Sequence, residues 1–403
     1  MDADRNCVGR VLLDETSKTI EGKTNLLVPT LSLTGRVPPK SPAFFNPSAK
    51  LSRDLSILVY RAFLHDSNRK QRTYADPLSG VGARAIRVAV EVQEIDEVYL
   101  NDLNPLAIEL SKKNAALNFV ERKCNFSVNE TCKFLLSCQT KKGDRFAVLD
   151  LDPFGSPVPY LDCALRSVLD SGLISVTATD TAVLCGKFND VCFRKYYARA
   201  VRCHYAIEIA TRILLSQISL TASRFGLSIE PLFAHSYSQY IRVYARVKLS
   251  CAEANMLHHK LGFIQHCEKC GNRMVSKKYN NPDTCSLCGN KFNIAGQLWI
   301  SKMFDKALIK RMEGYNFNEV GPDVDNNAIV DRYMLGTCFE ENDDIPYYFI
   351  TDEIAAKLKT SPQSVSEVID RLSRSGYRSS RTSFDSRGFK TDATINEILT
   401  LLR

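Results

Sequence analysis

Short apolar runs that end in acids recur along the chain. Residues 97–102, 146–149 and 173–179 each read as a strand, and the run 146–149 is continuous enough to be buried on both faces. Residues 125–128 read as a further strand. Residues 51–64, 104–118 and 158–169 space their apolar positions as helices do, and Pro105 sits where a first helical turn tolerates proline. Residues 196–225 predict one long helix or two. Residues 227–234 and 240–249 predict a closing pair of strands, with Ser236, Ser238 and Gln239 at the turn. Repeated βα units followed by a β pair predict an α/β fold, a doubly wound sheet with an antiparallel edge. Residues 1–36 give little. Residues 37–50 are proline-rich and predict an ordered loop in which Phe44, Phe45 and Asn46 pack on something.

The run at 146–149 leads into Asp150-Leu151-Asp152-Pro153-Phe154-Gly155. A carboxylate, an aromatic ring and a rigid turn are thereby set at the carboxyl end of a buried strand, where ligands sit in open α/β sheets. Asp152 would accept hydrogen bonds from an amine and Phe154 would stack on a flat ring. An ordinary Asp-Pro turn has the same residues.

Two earlier stretches bear on the choice. Residues 73–87 read as a strand end at Asp76, a turn with Gly80 and Gly82, and a helix start that carries Arg84. Such a turn lets backbone approach a ligand at a helix N-terminus, although a plain turn needs the same glycines. Asp102 follows at about the spacing at which nucleotide folds place an acid for ribose hydroxyls. No third glycine follows, which argues against a dinucleotide and for a single nucleoside-type cofactor, of which S-adenosylmethionine is the commonest. Glu130 is another strand-end acid, placed to accept from an adenine amine. Arg53, in the first turn of the 51–64 helix, opposes the helix dipole and reads as solvated or as a carboxylate clamp, the sequence favouring solvation.

Cys267, Cys270, Cys285 and Cys288 form two copies of one Cys-x-x-Cys-Gly-Asn knuckle. The spacing suits a tetrahedral structural zinc site with no open position. His258, His259 and His266 read as bystanders. Residues 351–358 and 361–373 predict two helices, the second with Pro362 at its first position, followed by a basic stretch with Tyr377, Phe384 and Phe389 between arginines. That order resembles a winged helix, or a solvated basic face on a helical domain.

Composition narrows the class without deciding it. The 403 residues allow two or three domains, are 44% hydrophobic and contain no run of membrane-spanning length. The first residues fit neither a secretory signal nor a transit peptide. A net charge of +8 is compatible with a nucleic-acid partner. The scattered members of the fourteen cysteines read as reduced core thiols in a cytosolic or nuclear setting. The basic run at residues 68–72 is too weak for a nuclear signal.

Several segments together carry a resemblance to the tRNA (guanine(26)-N(2))-dimethyltransferases. They are Phe45-Asn46-Pro47 with Arg53-Asp54-Leu55-Ser56, residues 76–87, Asn101-Asp102, residues 150–157, Thr177-Ala178-Thr179-Asp180-Thr181-Ala182-Val183-Leu184-Cys185-Gly186, residues 261–267, and Ala295-Gly296-Gln297-Leu298-Trp299. The resemblance implies a class I S-adenosylmethionine-dependent methyltransferase domain (Rossmann-like) over residues 1–252. It implies an α+β tRNA-binding domain over 253–403, with a zinc-ribbon element at about 262–300 and a winged-helix-like tail at about 345–403. Arg53 and Arg84 match positions that hold the methionine end of the cofactor. Asp102 matches the ribose acid, and Asp76, Gly80, Gly82, Glu130 and Thr131 fall in the remaining cofactor segments. Glu130 and Thr131 stand where the family usually has Asp-Ala, and Gln297 where it usually has proline. Asp152 matches the catalytic acid, with Phe154 and Phe45 on either side of the base. Partners and setting follow: tRNA, no membrane, a monomer, nucleus or cytoplasm. The alternatives are a methyltransferase for another amine, a zinc winged-helix regulator, and a non-catalytic zinc-containing RNA-binding protein with a relict methyltransferase fold.

Overall fold

The computed structural model describes residues 15–35, 37–65, 72–138, 145–279, 283–315 and 327–403, without the side chains of 327–333. The start of the chain and residues 68–71 of the basic run lie outside the described residues. Contacts divide the chain into two compact units. The first holds residues 1–152, 162–176 and 310–332, and the second 153–161, 177–309 and 333–403.

The first unit opens with an antiparallel hairpin, β1 (Thr16–Glu21) and β2 (Thr24–Pro29). Five parallel strands follow: β3 (Thr73–Asp76), β4 (Glu97–Asn101), β5 (Cys124–Ser127), β6 (Phe146–Leu151) and β7 (Val168–Ala178). They lie in the order β5-β4-β3-β6-β7, so the chain starts in the middle and reverses direction beside β3. That reversal is a topological switch point, and ligands of such sheets sit off the carboxyl ends there. All six residues of β6 are buried, Asp150 included, so the strand runs two residues beyond the apolar run.

The Lys50–Leu64 helix is buried almost all round: Ser52, Arg53, Asp54 and Ser56 are inside along with its apolar residues. A polar helix face can be buried only if its groups are paired. Arg53 therefore is not solvated, as the sequence alone favoured. The predicted helix at 158–169 is shorter, a 3-10 turn at Val158–Tyr160 and a helix at Leu161–Arg166, because β7 already begins at Val168. Cys132 and Cys163 are joined through their sulfurs, with Cα atoms 5.4 Å apart. This corrects the reading of all scattered cysteines as reduced thiols; the helices that bring the two together are far apart in sequence.

In the second unit, β8 (Leu227–Tyr237) and β9 (Tyr240–Leu249) form the expected antiparallel pair around a two-residue turn, with Ser238 at φ +53°. Residues 196–225, predicted as one long helix or two, contain one, which starts ten residues late. One helix, Asn189–Tyr196, stops at Tyr197, and Ala206–Ser223 begins after a non-helical connection. A three-stranded sheet, in the order β11-β10-β12, consists of β10 (Leu261–His266), β11 (Arg273–Ser276) and β12 (Asn293–Trp299).

The tail has the winged-helix pattern. Helices Thr351–Leu358 and Val365–Arg374 precede the strands β14 (Ser379–Arg381) and β15 (Gly388–Thr391), with β13 (Phe349–Ile350) on the other edge of β15 and a last helix at Ile395–Leu402. Its core includes Phe349, Ile354, Val368, Leu372, Phe389 and Ile398. The second helix starts at Val365, not at the proline, because Ser364 and Glu367 close a capping box. Among the described residues no helix is long and apolar enough to cross a membrane.

Candidate active site and metal centre

Arg84 lies in the first turn of the Ala83–Glu91 helix, which starts at Gly82, and its guanidinium reaches the end of β6. Its Nε is 3.0 Å from Asp150 Oδ2, and its Nη2 donates to Asp152 Oδ2 at 2.6 Å. Its Nη1 donates to Ser56 Oγ at 2.6 Å and to the Ser52 carbonyl at 3.1 Å. Asp150 has no exposure and also accepts from Tyr60 at 2.7 Å and Tyr74 at 3.2 Å. Asp152, one residue past the strand, has a side chain 33% exposed. One arginine thus ties a wholly buried acid to one that solvent can reach. Asp76, at the end of β3, is also buried. Burial first, and then the Asp150 charge, push its carboxyl well above the usual range, which Arg84 only partly offsets.

The glycine turn is in place. Gly80 and Gly82 have φ of +53° and +76°. A Cβ on Gly80 would come within 2.9 Å of the Phe44 carbonyl oxygen, and one on Gly82 equally near Ser111 Oγ, so both positions need glycine twice over. Asp102 Oδ2 accepts from Gly80 N at 2.9 Å and its Oδ1 from Asn104 N at 2.9 Å, which locks the acid against the turn. Glu130 is exposed, and its Oε2 accepts from Lys133 N at 2.8 Å, so it caps the Thr131–Cys138 helix; Thr131 is buried.

Arg53 has a partner the sequence did not suggest. Its Nε and Nη2 take both oxygens of buried Glu21, at 2.6 and 2.5 Å, and Nη2 also reaches the Asn46 carbonyl. Only Nη1 carries no hydrogen bond among the described residues, so Arg53 can offer a cofactor carboxylate one nitrogen rather than a two-pronged clamp. Its guanidinium lies 5.0 Å from the Phe45 ring centroid. Phe45 is 3% exposed, in an apolar cluster with Leu26, Val28 and Val81. Phe154 belongs to the second unit and is 59% exposed. The residues after it are held: Gly155 N donates to Thr179 Oγ1 at 2.7 Å, and Thr179 N to the Gly155 carbonyl at 2.9 Å.

The two cysteine knuckles have the same backbone. In each, the first Cys N–H donates to the Asn carbonyl and the Gly N–H returns to the first Cys carbonyl, at 2.8 to 2.9 Å. Gly271 and Gly289 have φ of +80° and +69°. The sulfurs of Cys267, Cys270, Cys285 and Cys288 lie within 4.8 Å of one another, with 267–288 and 270–285 at 3.5 Å. Four thiolates around Zn2+ at about 2.3 Å would stand about 3.8 Å apart. The set fits a structural zinc site.

Residues 22–403 match the family model described as N2,N2-dimethylguanosine tRNA methyltransferase. The chain belongs to this family. It is 34% identical over 385 residues to the tRNA (guanine(26)-N(2))-dimethyltransferase of Methanosphaera stadtmanae, covering 95% of each chain. It is 30% identical over 382 residues to the tRNA (guanine(26)-N(2)/guanine(27)-N(2))-dimethyltransferase of Aquifex aeolicus, covering 94% of each. Among solved structures it is similar to Trm1 from Pyrococcus horikoshii in complex with S-adenosyl-L-methionine, with a TM-score of 0.80, 28% identity, and coverage of 96% of this chain and 99% of that one.

Within this member of the tRNA dimethylguanosine methyltransferase family, the structure gathers Arg53, Asp76, Gly80, Gly82, Arg84, Asp102, Glu130, Thr131, Phe45 and Asp152 in the first unit. Sequence reading missed Glu21 and Asp150. Glu21 lies in a stretch with no readable pattern. The signal for Asp150 was there: an acid flanked by Leu149 and Leu151 inside a buried strand needs a buried cation.

Proposed function

We propose that this chain methylates the exocyclic amine of a guanosine in tRNA, twice, with S-adenosylmethionine as donor, giving N(2),N(2)-dimethylguanosine at position 26. The observation that carries the reading is the family match over residues 22–403. The site agrees with it: an acid stands off the end of β6 with an arginine on it.

The first unit has groups that suit the cofactor. The remaining nitrogen of Arg53 would face its carboxylate, Asp102 its ribose hydroxyls, and the segment at Glu130 and Thr131 its adenine, while Arg84, matched by the resemblance to the methionine end, already has all three nitrogens on Asp150, Asp152, Ser52 and Ser56. When bound, the cofactor supplies an electrophilic methyl on a sulfonium, which departs as a neutral thioether.

The guanine amine is a poor nucleophile because its lone pair is delocalised into the ring. Asp152 would accept its N–H, turn the lone pair toward the methyl, and receive the proton released as the N–C bond forms. Phe154, which is exposed, would stack on the base. Each transfer consumes one cofactor, so two are used per guanosine. The base lies within folded tRNA and must be extruded to react. The tail and zinc element would hold the tRNA through phosphates and shape. The enzyme acts as a monomer, in the nucleus or cytoplasm.

The test is methyl transfer from labelled S-adenosylmethionine to unmodified tRNA, with nucleoside analysis, for wild type and Asp152→Ala. Dimethylguanosine from the wild type, lost in the variant with cofactor binding kept, supports both the reaction and the role of Asp152. Tight cofactor binding without transfer to any tRNA would point to the relict-fold reading.

A further inference from the structure

The second unit carries a short helix whose outer face is hard to explain by folding alone. Asn189–Tyr196 buries Cys192 and Tyr196 but leaves the rings at its two ends out: Phe188 is 48% exposed, Phe193 50% and Tyr197 64%. Soluble surfaces carry single exposed rings, but here three stand within ten residues and two of them, Phe193 and Tyr197, touch.

Tyr197 is the most telling. It ends the helix in the left-handed conformation, at φ +48°. Glycine or asparagine is the usual residue there, because a side chain meets its own backbone. A bulky residue is held there at a cost in stability, and an exposed ring recovers little of it by burial. Such conformations gather at functional positions.

Cations accompany the rings. Phe193 packs edge-on against Tyr197, with centroids 6.2 Å apart, and the Arg199 guanidinium lies 5.7 Å from the Phe193 centroid. Arg199 is fixed by two backbone hydrogen bonds with Gly296. Lys187 stands 5.6 Å from the Phe188 centroid. Residues 187–202 hold five lysines and arginines against one acid, Asp190. Exposed rings flanked by cations match a chain of π-faced bases joined by phosphates.

The patch is also wired to the loop that carries Phe154. Asp180 accepts from Tyr196 at 2.7 Å and from Lys195 at 3.1 Å, and its neighbour Thr179 is bonded to Gly155 in both directions. Two residues of the helix thus hold the segment that holds the turn beside Phe154, all within one unit.

We propose that Phe193 and Tyr197, with Arg199 and the Lys187–Phe188 pair, form a stacking platform for unpaired nucleotides next to the methylated guanosine. The inference rests on the tRNA reading and extends it: the RNA is gripped beside the target base by rings as well as by phosphate contacts. A protein partner would not need the run of cations.

The test uses full-length protein and unmodified tRNA. Tyr197→Gly removes the ring and relieves the left-handed strain, so its Tm should equal or exceed that of the wild type. Its tRNA Kd and KM should rise at least about fivefold, the effect of one lost base stack. Phe193→Ala should act in the same direction, Tyr197→Phe should stay near wild type, and cofactor binding should be unchanged in all three. Arg199→Gln should flatten the dependence of tRNA affinity on salt. If Tyr197→Gly and Phe193→Ala bind and methylate tRNA as the wild type does, the platform is wrong and the methyltransferase reading stands. A wild type that binds no tRNA overturns both.

Discussion

Arg84 Nη2 lies 2.6 Å from Asp152 Oδ2 while its Nε lies 3.0 Å from Asp150 Oδ2, so one guanidinium spans both acids of the β6 end. The spacing of the two acids puts one in the sheet and one beyond it. The arginine neutralises the first and fixes the position of the second.

Arg84→Lys keeps the charge but not the fork, since an ammonium cannot hold both acids and the Ser52 and Ser56 oxygens together. We expect kcat for tRNA methylation to fall about 100-fold through misplacement of Asp152. Tm should fall as well, because Asp150 loses its Nε partner. A single-turnover assay beside a melting curve checks both, and an unchanged kcat would remove Arg84 from the positioning of Asp152.

Asp76 should destabilise the fold as pH rises. Its folded carboxyl is held well above the ordinary value of 3.8, first by burial and then by the Asp150 charge. The folded state thus holds a proton that the unfolded state has released, and stability drains as pH climbs from that value through the folded one. Asp76→Asn keeps an oxygen for the Leu78 N–H and removes the charge. Its Tm advantage over the wild type should be smallest near pH 4 and grow toward neutrality. Melting curves across that range decide, and a gap that shrinks with pH would refute the sign.

Purified protein should contain one zinc per chain, measurable by elemental analysis. Cys285→Ser should lose it and lower Tm, because the metal would tie the two knuckles together through all four sulfurs. Retention of stoichiometric zinc by the variant would argue against this ligand set.

Lys390 is wholly buried, with Nζ 2.5 Å from Glu208, 3.0 Å from Glu341 and 2.8 Å from the Ile345 carbonyl. Lys390→Met would take the cation from buried Glu341, which among the described residues keeps only hydrogen bonds from Thr382 and Ser383, while Glu208 keeps Arg212, and would cost about 3–5 kcal/mol. Denaturant unfolding checks it. Deleting the tail would likewise remove Lys390 from its buried acids, so point variants on the tail surface are the better probe of its part in tRNA binding.

Much was legible in the residues themselves. The βα alternation is written in short apolar runs and helical periods, because local burial dictates local pattern. Gly80 and Gly82, the two knuckles and the Asp-Pro-Phe-Gly turn are local too: backbone geometry and ligand spacing over a few residues admit few alternatives. What depends on distant partners was not legible. Arg53 read as solvated or as a carboxylate clamp, with solvation favoured, yet Glu21 takes it, because the hairpin and the Lys50–Leu64 helix meet only in three dimensions. Asp150 read as a strand end, yet it is the buried anchor of Arg84, a residue 66 positions earlier. Cys132 and Cys163 read as separate thiols, yet two helices bring them together. Tyr197 fell in a stretch that read as one long helix or two, and only the backbone turn revealed it as an exposed ring in a left-handed cap. The sequence determined which chemistry the chain carries, because residue types and short spacings suffice for that. The tertiary structure decided which charges neutralise one another and which rings face outward, because those follow from packing between segments that no short pattern links.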